Sequence, residues 1–253
     1  MENILVQGIQ ELGITPPEGA VDKLCRYAEL LLEQNKVMNL TAITEPEQVA
    51  RLHFLDSAAI LGWAGLEPAP TGSTAKPQAS PSWLSGKALI DVGTGAGFPG
   101  VVLKILEPSL RLTLVDSLGK RVSWLENVCK ALSLDNVRCF HARAEELALE
   151  EGFRDAFDVS TSRAVAAFPA LCELCLPYVK VGGVFLAMKS VESGQEVLAG
   201  EKAVKQLGGK ALPNWDYPIP GGEVTHRLIA VQKVSPTPAG LPRSWGKIKK
   251  APL

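Results

Sequence analysis

The chain has 253 residues, 46% of them hydrophobic, with 26 Lys+Arg against 27 Asp+Glu and a formal net charge of −1. That balance excludes a protein that grips nucleic acid through its overall charge and leaves room only for a local basic patch. No stretch reaches the ~20 uninterrupted apolar residues of a membrane span. The opening MENILVQGIQELGI carries an acid at once and no basic run, unlike a secretory leader. Cys25, Cys129, Cys139, Cys172 and Cys175 are odd in number and scattered. They predict reduced thiols in a cytoplasmic protein, not a disulfide framework.

Residues 1–66 are expected to form a helical cap. Val21, Leu24, Cys25, Ala28, Leu31, Leu32 and Met38 recur at helical spacing and predict an amphipathic helix over 21–38. A further helix is expected over 46–63, opened by Thr44 as N-cap with Glu47 in a capping box. This region is acidic, nine Asp/Glu against four Lys/Arg. Residues 67–87 are rich in Pro, Ala, Ser, Thr and Gly and read as a flexible linker or insertion, its end anchored by Trp83 and Leu84.

Residues 88–234 alternate short β runs with helical stretches. ALIDV, RLTLVD, NVRCFHA, AFDVSTS and GGVFLAMK are the expected strands. The helix after the second strand carries Leu118, Val122, Leu125, Cys129 and Leu132 on one face. Later helices are expected over 168–178 and 194–207, then a hairpin from runs 210–219 and 225–234. The fold class is therefore α/β, a doubly wound and mostly parallel sheet with an antiparallel edge. Residues 235–253 hold four prolines, Arg243, Lys247, Lys249 and Lys250, and no acid. They read as an extended basic arm, either solvated or in contact with phosphate.

DVGTGAGFPG (91–100) follows a strand and opens a helix, with Pro99 suited to the first turn. Positions without side chains let a ligand approach the backbone N–H groups. Gly95-x-Gly97-x-x-Gly100 fits the dinucleotide fingerprint, and Asp116 lies about 20 residues on. Gly93-x-Gly95-x-Gly97 fits S-adenosylmethionine enzymes equally. Asp91 separates the two, since a carboxylate repels a pyrophosphate and suits a sulfonium and an ammonium. Asp116, ending its strand, suits ribose hydroxyls in either case. Glu145, or the backbone beside it, suits an adenine amino group; Glu145 and Glu146 as plain helix N-terminal acids are the alternative.

Ser160-Thr-Ser-Arg163-Ala164 should face the methyl acceptor. No Asn/Asp-Pro-Pro-aromatic run stands there, as exocyclic-amine chemistry requires, and no cysteine follows a proline, as pyrimidine C5 chemistry requires. Cys172 and Cys175 form a lone CxxC in an apolar helix and read as core, with no metal expected. An acceptor with its own lone pair remains, such as guanine N7, which needs no general base, only positioning and electrostatics. Arg163 suits bidentate bonding to guanine or phosphate, or a structural ion pair. A methyltransferase of a small molecule or protein, an NAD(P)-dependent oxidoreductase and a non-catalytic ribosome-assembly factor stay open on these residues.

NLTAI (39–43), HFLDS (53–57), DVGTGAGFPG (91–100), LTLVDSLGKRVSWL (112–125), RAE (143–145), SRAVA (162–166) and LPRSWGKIKKAPL (241–253) together resemble the GidB family of bacterial 16S rRNA guanine-N7 methyltransferases. The resemblance spans the chain apart from 67–87, an insertion longer than usual, and Leu52 replaces a basic residue before His53. It implies a Rossmann-like class I methyltransferase domain under an N-terminal helical cap, with S-adenosyl-L-methionine as cofactor. The implied substrate is a guanosine in the 530 loop of 16S rRNA, free or in the small ribosomal subunit, with the enzyme a monomer. Implied cofactor contacts are Gly93, Phe98, Asp116, Ser117, Ala144, Glu145 and Arg163, beside Asp91, Gly95 and Gly97 of the loop. Arg143 and Arg163 match the arginines important for activity, and His53 and Asp56 are implied to face the cleft. The cations available for RNA are Lys120, Arg121, Arg138, Lys180, Lys189, Arg243, Lys247, Lys249 and Lys250, with an affinity that falls as salt rises.

Overall fold

In the computed structural model, which describes residues 1–63 and 82–253, the first 63 residues are helical. α1 (Glu2–Glu11) and α2 (Ala20–Asn35) each bury one face. The run expected to reach Met38 stops at Asn35, whose side chain turns back on the chain. Its Oδ1 accepts from the amides of Leu40 and Thr41 at 2.8 and 3.0 Å, an alternative to helix. α3 is composite: an α turn (Pro46–Val49), a π stretch (Ala50–Leu55), an α turn (Asp56–Ala58) and a 3-10 turn (Ala59–Gly62). Its N-cap is Glu45, with no side-chain cap bond, so the capping box expected from Thr44 and Glu47 does not form.

From Ala88 the chain lays down β1 (Ala88–Val92), α4 (Gly100–Leu106), β2 (Arg111–Asp116), α5 (Gly119–Ala131), β3 (Val137–His141), α6 (Ala144–Leu147), β4 (Phe157–Arg163), α7 (Phe168–Cys175) and β5 (Val179–Ser190). Then follow α8 (Gly194–Ala199), α9 (Glu201–Gln206), β6 (Gly209–Ala211), β7 (Trp215–Pro218), β8 (Thr225–Lys233) and α10 (Trp245–Lys250). The strands form one sheet in the order β3-β2-β1-β4-β5-β8-β6, with β7 also paired to β8. The first five are mutually parallel, and β8 is antiparallel to β5, β6 and β7. The expected hairpin is thus present, but its first arm is broken into β6 and β7 on the same edge of β8.

Successive strand residues point to opposite faces, and the core divides accordingly. Leu89, Leu114, Leu186 and Leu228 face one hydrophobic cluster, which also holds Leu5, Tyr27 and Phe54 from the N-terminal helices. Ile90, Val115, Phe185 and Ile229 face a second, with Leu171, Cys172 and Cys175 of α7 and Ile248 of α10. Cys172 and Cys175 are therefore core. The insertion expected over 67–87 lies outside the described residues up to 81. At its end Leu84 is buried and the Trp83 indole donates to the Ile60 carbonyl at 3.0 Å.

The C-terminal arm departs from expectation. Residues 235–253 are docked, not extended. Arg154 donates to the carbonyls of Leu241, Thr237 and Pro238 at 2.6, 2.8 and 2.9 Å. Arg243 forks onto Glu173, which is fully buried in α7. A buried carboxylate needs such a partner, and that need holds the tail down.

Candidate active site

The glycine loop joins β1 to α4 at the carboxyl edge of the sheet, where α/β proteins bind ligands. Gly93, Gly95 and Gly97 have φ of +67°, +58° and +95°, left-handed values that only glycine adopts without strain. Tyr27 secures the loop from α2. It is fully buried, stacks at 5.3 Å on Phe54, and its hydroxyl donates to the Ala96 carbonyl.

Asp91 does not face the ligand space as expected. It is fully buried beneath the loop, where Oδ2 accepts from the Thr94 hydroxyl at 2.8 Å and the Gly100 amide at 2.9 Å. Its Oδ1 is buried and unpaired. Burial pushes its pKa up to about 6. The carboxylate therefore shapes the loop from behind, because two short-range donors are closer than any ligand would be. Asp116 stands at the end of β2, accepting from the Gly95 amide and the Leu118 amide, both at 2.9 Å.

Two cavities share Gly93 in their linings, and Val165, which lines the smaller, packs on that glycine. The larger, of about 650 Å³, is lined by Gly93, Thr94, Gly95, Phe98, His53, Asp56, Arg121, Arg163, Lys189 and His226. Arg163, at the end of β4, is held from three sides. It donates from Nη1 to Asp56 Oδ2 at 3.0 Å and to the Leu52 carbonyl at 3.2 Å, and from Nη2 to His53 Nδ1 at 3.1 Å. The guanidinium lies 4.9 Å from the Phe98 ring centre, on which His53 stacks at 4.6 Å. Asp56 also accepts from Tyr217 and His226 on Oδ1, each at 2.8 Å. Burial works to raise its pKa, but His226, Arg163 and Tyr217 outweigh that and hold it below the usual carboxylate range. The π stretch thus presents Leu52 and His53, and the turn after it Asp56, to one arginine.

Sequence reasoning missed Tyr217 and His226. The register explains why they matter: β8 runs antiparallel, so its first residues reach the carboxyl ends of the parallel strands, where His226 pairs with Ser190 of β5 and Tyr217 of β7. Hydropathy alone carries no trace of that placement. Ala164, with φ +57°, is a second feature the sequence conceals; the left-handed turn follows Arg163 directly.

The smaller cavity, about 220 Å³, is lined by Asp116, Ser117, Arg143, Ala144, Glu145 and apolar side chains that include Val115, Leu174 and Trp245. Glu145 is buried and paired to Arg143 at 2.6 Å. Arg143 and Arg163 therefore occupy different lobes. Among the described residues, no group of three or more His, Cys, Asp or Glu side chains is placed to hold a metal ion, and no helix is long and apolar enough to cross a membrane.

Several cations expected to meet RNA are engaged internally. Lys189 donates to the Ala166 carbonyl at 2.8 Å and to Glu196 at 2.9 Å. Arg121 stands 3.6 Å from Asp116, and Arg243 is clamped on Glu173. Arg138 and Lys180 lie at the starts of β3 and β5, the edge opposite the cavities. Lys120, Lys247, Lys249 and Lys250 are exposed.

His53 makes a pH-dependent contribution. Its Nδ1 accepts from Arg163, so its proton sits on Nε2, which bonds to the Thr41 hydroxyl at 2.7 Å. Burial first, then the charge of Arg163, lowers its pKa to about 4. The unfolded chain titrates near 6.5, so it binds a proton that the folded state refuses, and stability is lost as pH falls from about 6.5 to 4. Asp91 acts in the opposite sense: its raised folded pKa makes stability fall as pH rises through about 4 to 6. Comparison with a variant separates the two. Relative to wild type, His53→Gln is expected to gain about 2 kcal/mol between pH 7 and pH 4.5 in denaturant titrations; a constant difference between the two proteins counts against this protonation state.

A glycine cradle at the end of the first strand, an acid ending the second and an arginine cluster ending the fourth define a Rossmann-like class I methyltransferase. Comparisons agree on the fold: a SAM-dependent O-methyltransferase from Thermotoga maritima superposes with a TM-score of 0.50 at 18% identity, covering 82% of this chain and 72% of that one. The sequence profile of GidB, rRNA small subunit methyltransferase G, matches residues 78–213. Proteins named ribosomal RNA small subunit methyltransferase G are 41% identical over 99% of this chain and 98% of theirs in Alkaliphilus metalliredigens, and 42% identical over 98% and 96% in Lachnoclostridium phytofermentans. The chain belongs to the rRNA small subunit methyltransferase G family.

Proposed function

We infer that this protein transfers a methyl group from S-adenosyl-L-methionine to N7 of a guanosine in the 530 loop of 16S rRNA. The observation that carries the reading is the paired cavity astride Gly93, whose lobes suit the two ends of such a cofactor. A Cβ on Gly93 would fall 2.5 Å from Val165, so the cradle has no room for a side chain. Asp91, fully buried, supports this cradle from behind through Thr94 and Gly100 and lines neither lobe. The residues present fit the group.

When bound, the cofactor supplies an electrophilic methyl on a positively charged sulfur. Asp116 and Ser117 hold the sugar, Ala144 and Glu145 border the purine with Arg143, and the loop from Gly93 to Gly97 leaves its backbone open to the amino-acid end. In the larger lobe Arg163 orients the acceptor through the N–H groups that Asp56, Leu52 and His53 leave free. Neither His53 nor Asp56 is poised to remove a proton there. His53 is neutral with Nδ1 occupied, and Asp56 already accepts three bonds. Guanine N7 needs no such base, so in-line positioning and electrostatics supply the rate. Lys120 and the lysines of α10 are the cations available to rRNA phosphates.

Incubation with methyl-tritiated cofactor and small ribosomal subunits or their naked rRNA tests the reading. Label is expected in 16S rRNA, at one guanosine whose ribose-phosphate chain becomes cleavable by borohydride and aniline, the chemistry of 7-methylguanosine. Label confined to protein or small molecules overturns it, as does labelled rRNA that resists that cleavage.

A further inference from the structure

We propose that the docked C-terminal segment is a wall of the cofactor site, with Trp245 packing on the purine. This rests on the cofactor reading above and extends it to a part of the chain that composition assigns to RNA. Trp245, the first residue of α10, lines the smaller lobe and also an adjoining cavity of about 340 Å³ that opens beside Arg143, Glu145 and Pro242. Among the described residues it is the one aromatic side chain in the smaller lobe. A purine buries two flat faces, and an indole offers a matching apolar plane. The other apolar walls of the lobe are aliphatic and small by comparison.

The position of Trp245 is fixed. The guanidinium of Arg143 lies 5.8 Å from the indole ring centre, while its Nε donates to Glu145 at 2.6 Å, so one arginine ties the tail to the carboxylate that borders the lobe. Two residues before Trp245, Arg243 forks onto the buried Glu173 and donates to the Ala251 carbonyl at 2.9 Å. Three residues after it, Ile248 is fully buried in the second core cluster. The indole is thus held between a buried ion pair and a buried aliphatic side chain, an arrangement a solvated arm does not need.

Calorimetric titration of the full chain with S-adenosylhomocysteine and with 5′-methylthioadenosine, which lacks the amino-acid end, tests this. Trp245→Ala is expected to weaken both ligands by the same factor, about 10- to 100-fold, because the lost contact belongs to the end they share. Trp245→Phe keeps a flat ring and stays within about threefold of wild type. Trp245→Leu keeps an apolar side chain on α10 for folding and still loses about tenfold, which guards against a collapse of the alanine variant. Wild-type affinity in Trp245→Ala or Trp245→Leu, or a loss for S-adenosylhomocysteine alone, overturns the proposal while leaving the cofactor reading intact. Failure of the unmutated protein to bind either ligand removes the cofactor reading itself, and the proposal with it.

Discussion

Arg163→Ala is expected to lower the single-turnover rate of methyl transfer into rRNA by at least about a hundredfold and to destabilise the fold by about 2–3 kcal/mol. The two effects have separate origins. The rate is expected to fall because the guanidinium stacked on Phe98 in the larger lobe is gone, and with it the planar donor proposed to orient the acceptor. Stability falls because Asp56, 1% exposed, loses its cationic partner and keeps only Tyr217 and His226. Removing one member of a buried pair leaves an uncompensated charge, and the two remaining donors soften that penalty. Arg163→Lys divides the effects: an ammonium restores charge beside Asp56 but cannot bond Asp56, Leu52 and His53 together while lying flat on Phe98. Its melting temperature is therefore expected close to wild type, with most of the activity still missing. Transfer within threefold of wild type in the alanine variant would refute the role assigned to this residue.

The second large effect is in the loop. Gly97→Ala is expected to cost about 2–4 kcal/mol and to weaken S-adenosylhomocysteine at least tenfold. A Cβ there would stand 2.5 Å from the Tyr27 hydroxyl, 2.7 Å from Val101 and 2.9 Å from Leu125, at φ +95°. Each neighbour is part of a packed core, so the loop must give instead. Gly95→Ala is the control. Its φ is +58°, but the nearest atom to a Cβ is the Gly93 carbonyl oxygen at 3.9 Å. Strain alone then remains, about 1 kcal/mol. Equal melting temperatures for the two variants would show that Tyr27 does not clamp the loop.

Both predictions depend on residues brought in from the N-terminal helices, and the two regions differ in what sequence reveals. Tyr27 falls inside the helix expected over 21–38 but outside the apolar positions that predicted it, and its hydroxyl on Ala96 left no signal, since the spacing says nothing of which loop the helix meets. His53 and Asp56 came from a family resemblance, not from periodicity. The π stretch that presents them leaves no signal in hydropathy.

What the chain determines by itself is local. The alternation of β and helical runs, the three glycines after ALIDV and the acid closing RLTLVD each need only neighbours a few residues away, so the parallel sheet and its ligand edge can be read directly. Charges behave differently, because a carboxylate or a guanidinium takes the nearest partner in space. Asp91 turned under the loop to Thr94 and Gly100, Lys189 went to Glu196, and Arg243 went to Glu173, 70 residues away in the chain. Only the assembled sheet decided those pairings, along with the arrival of His226 on the antiparallel β8 and of Trp245 on the docked tail. The reason is energetic: an ionised group cannot be buried alone, so its role is set by whichever partner the fold delivers, and composition holds no record of that delivery.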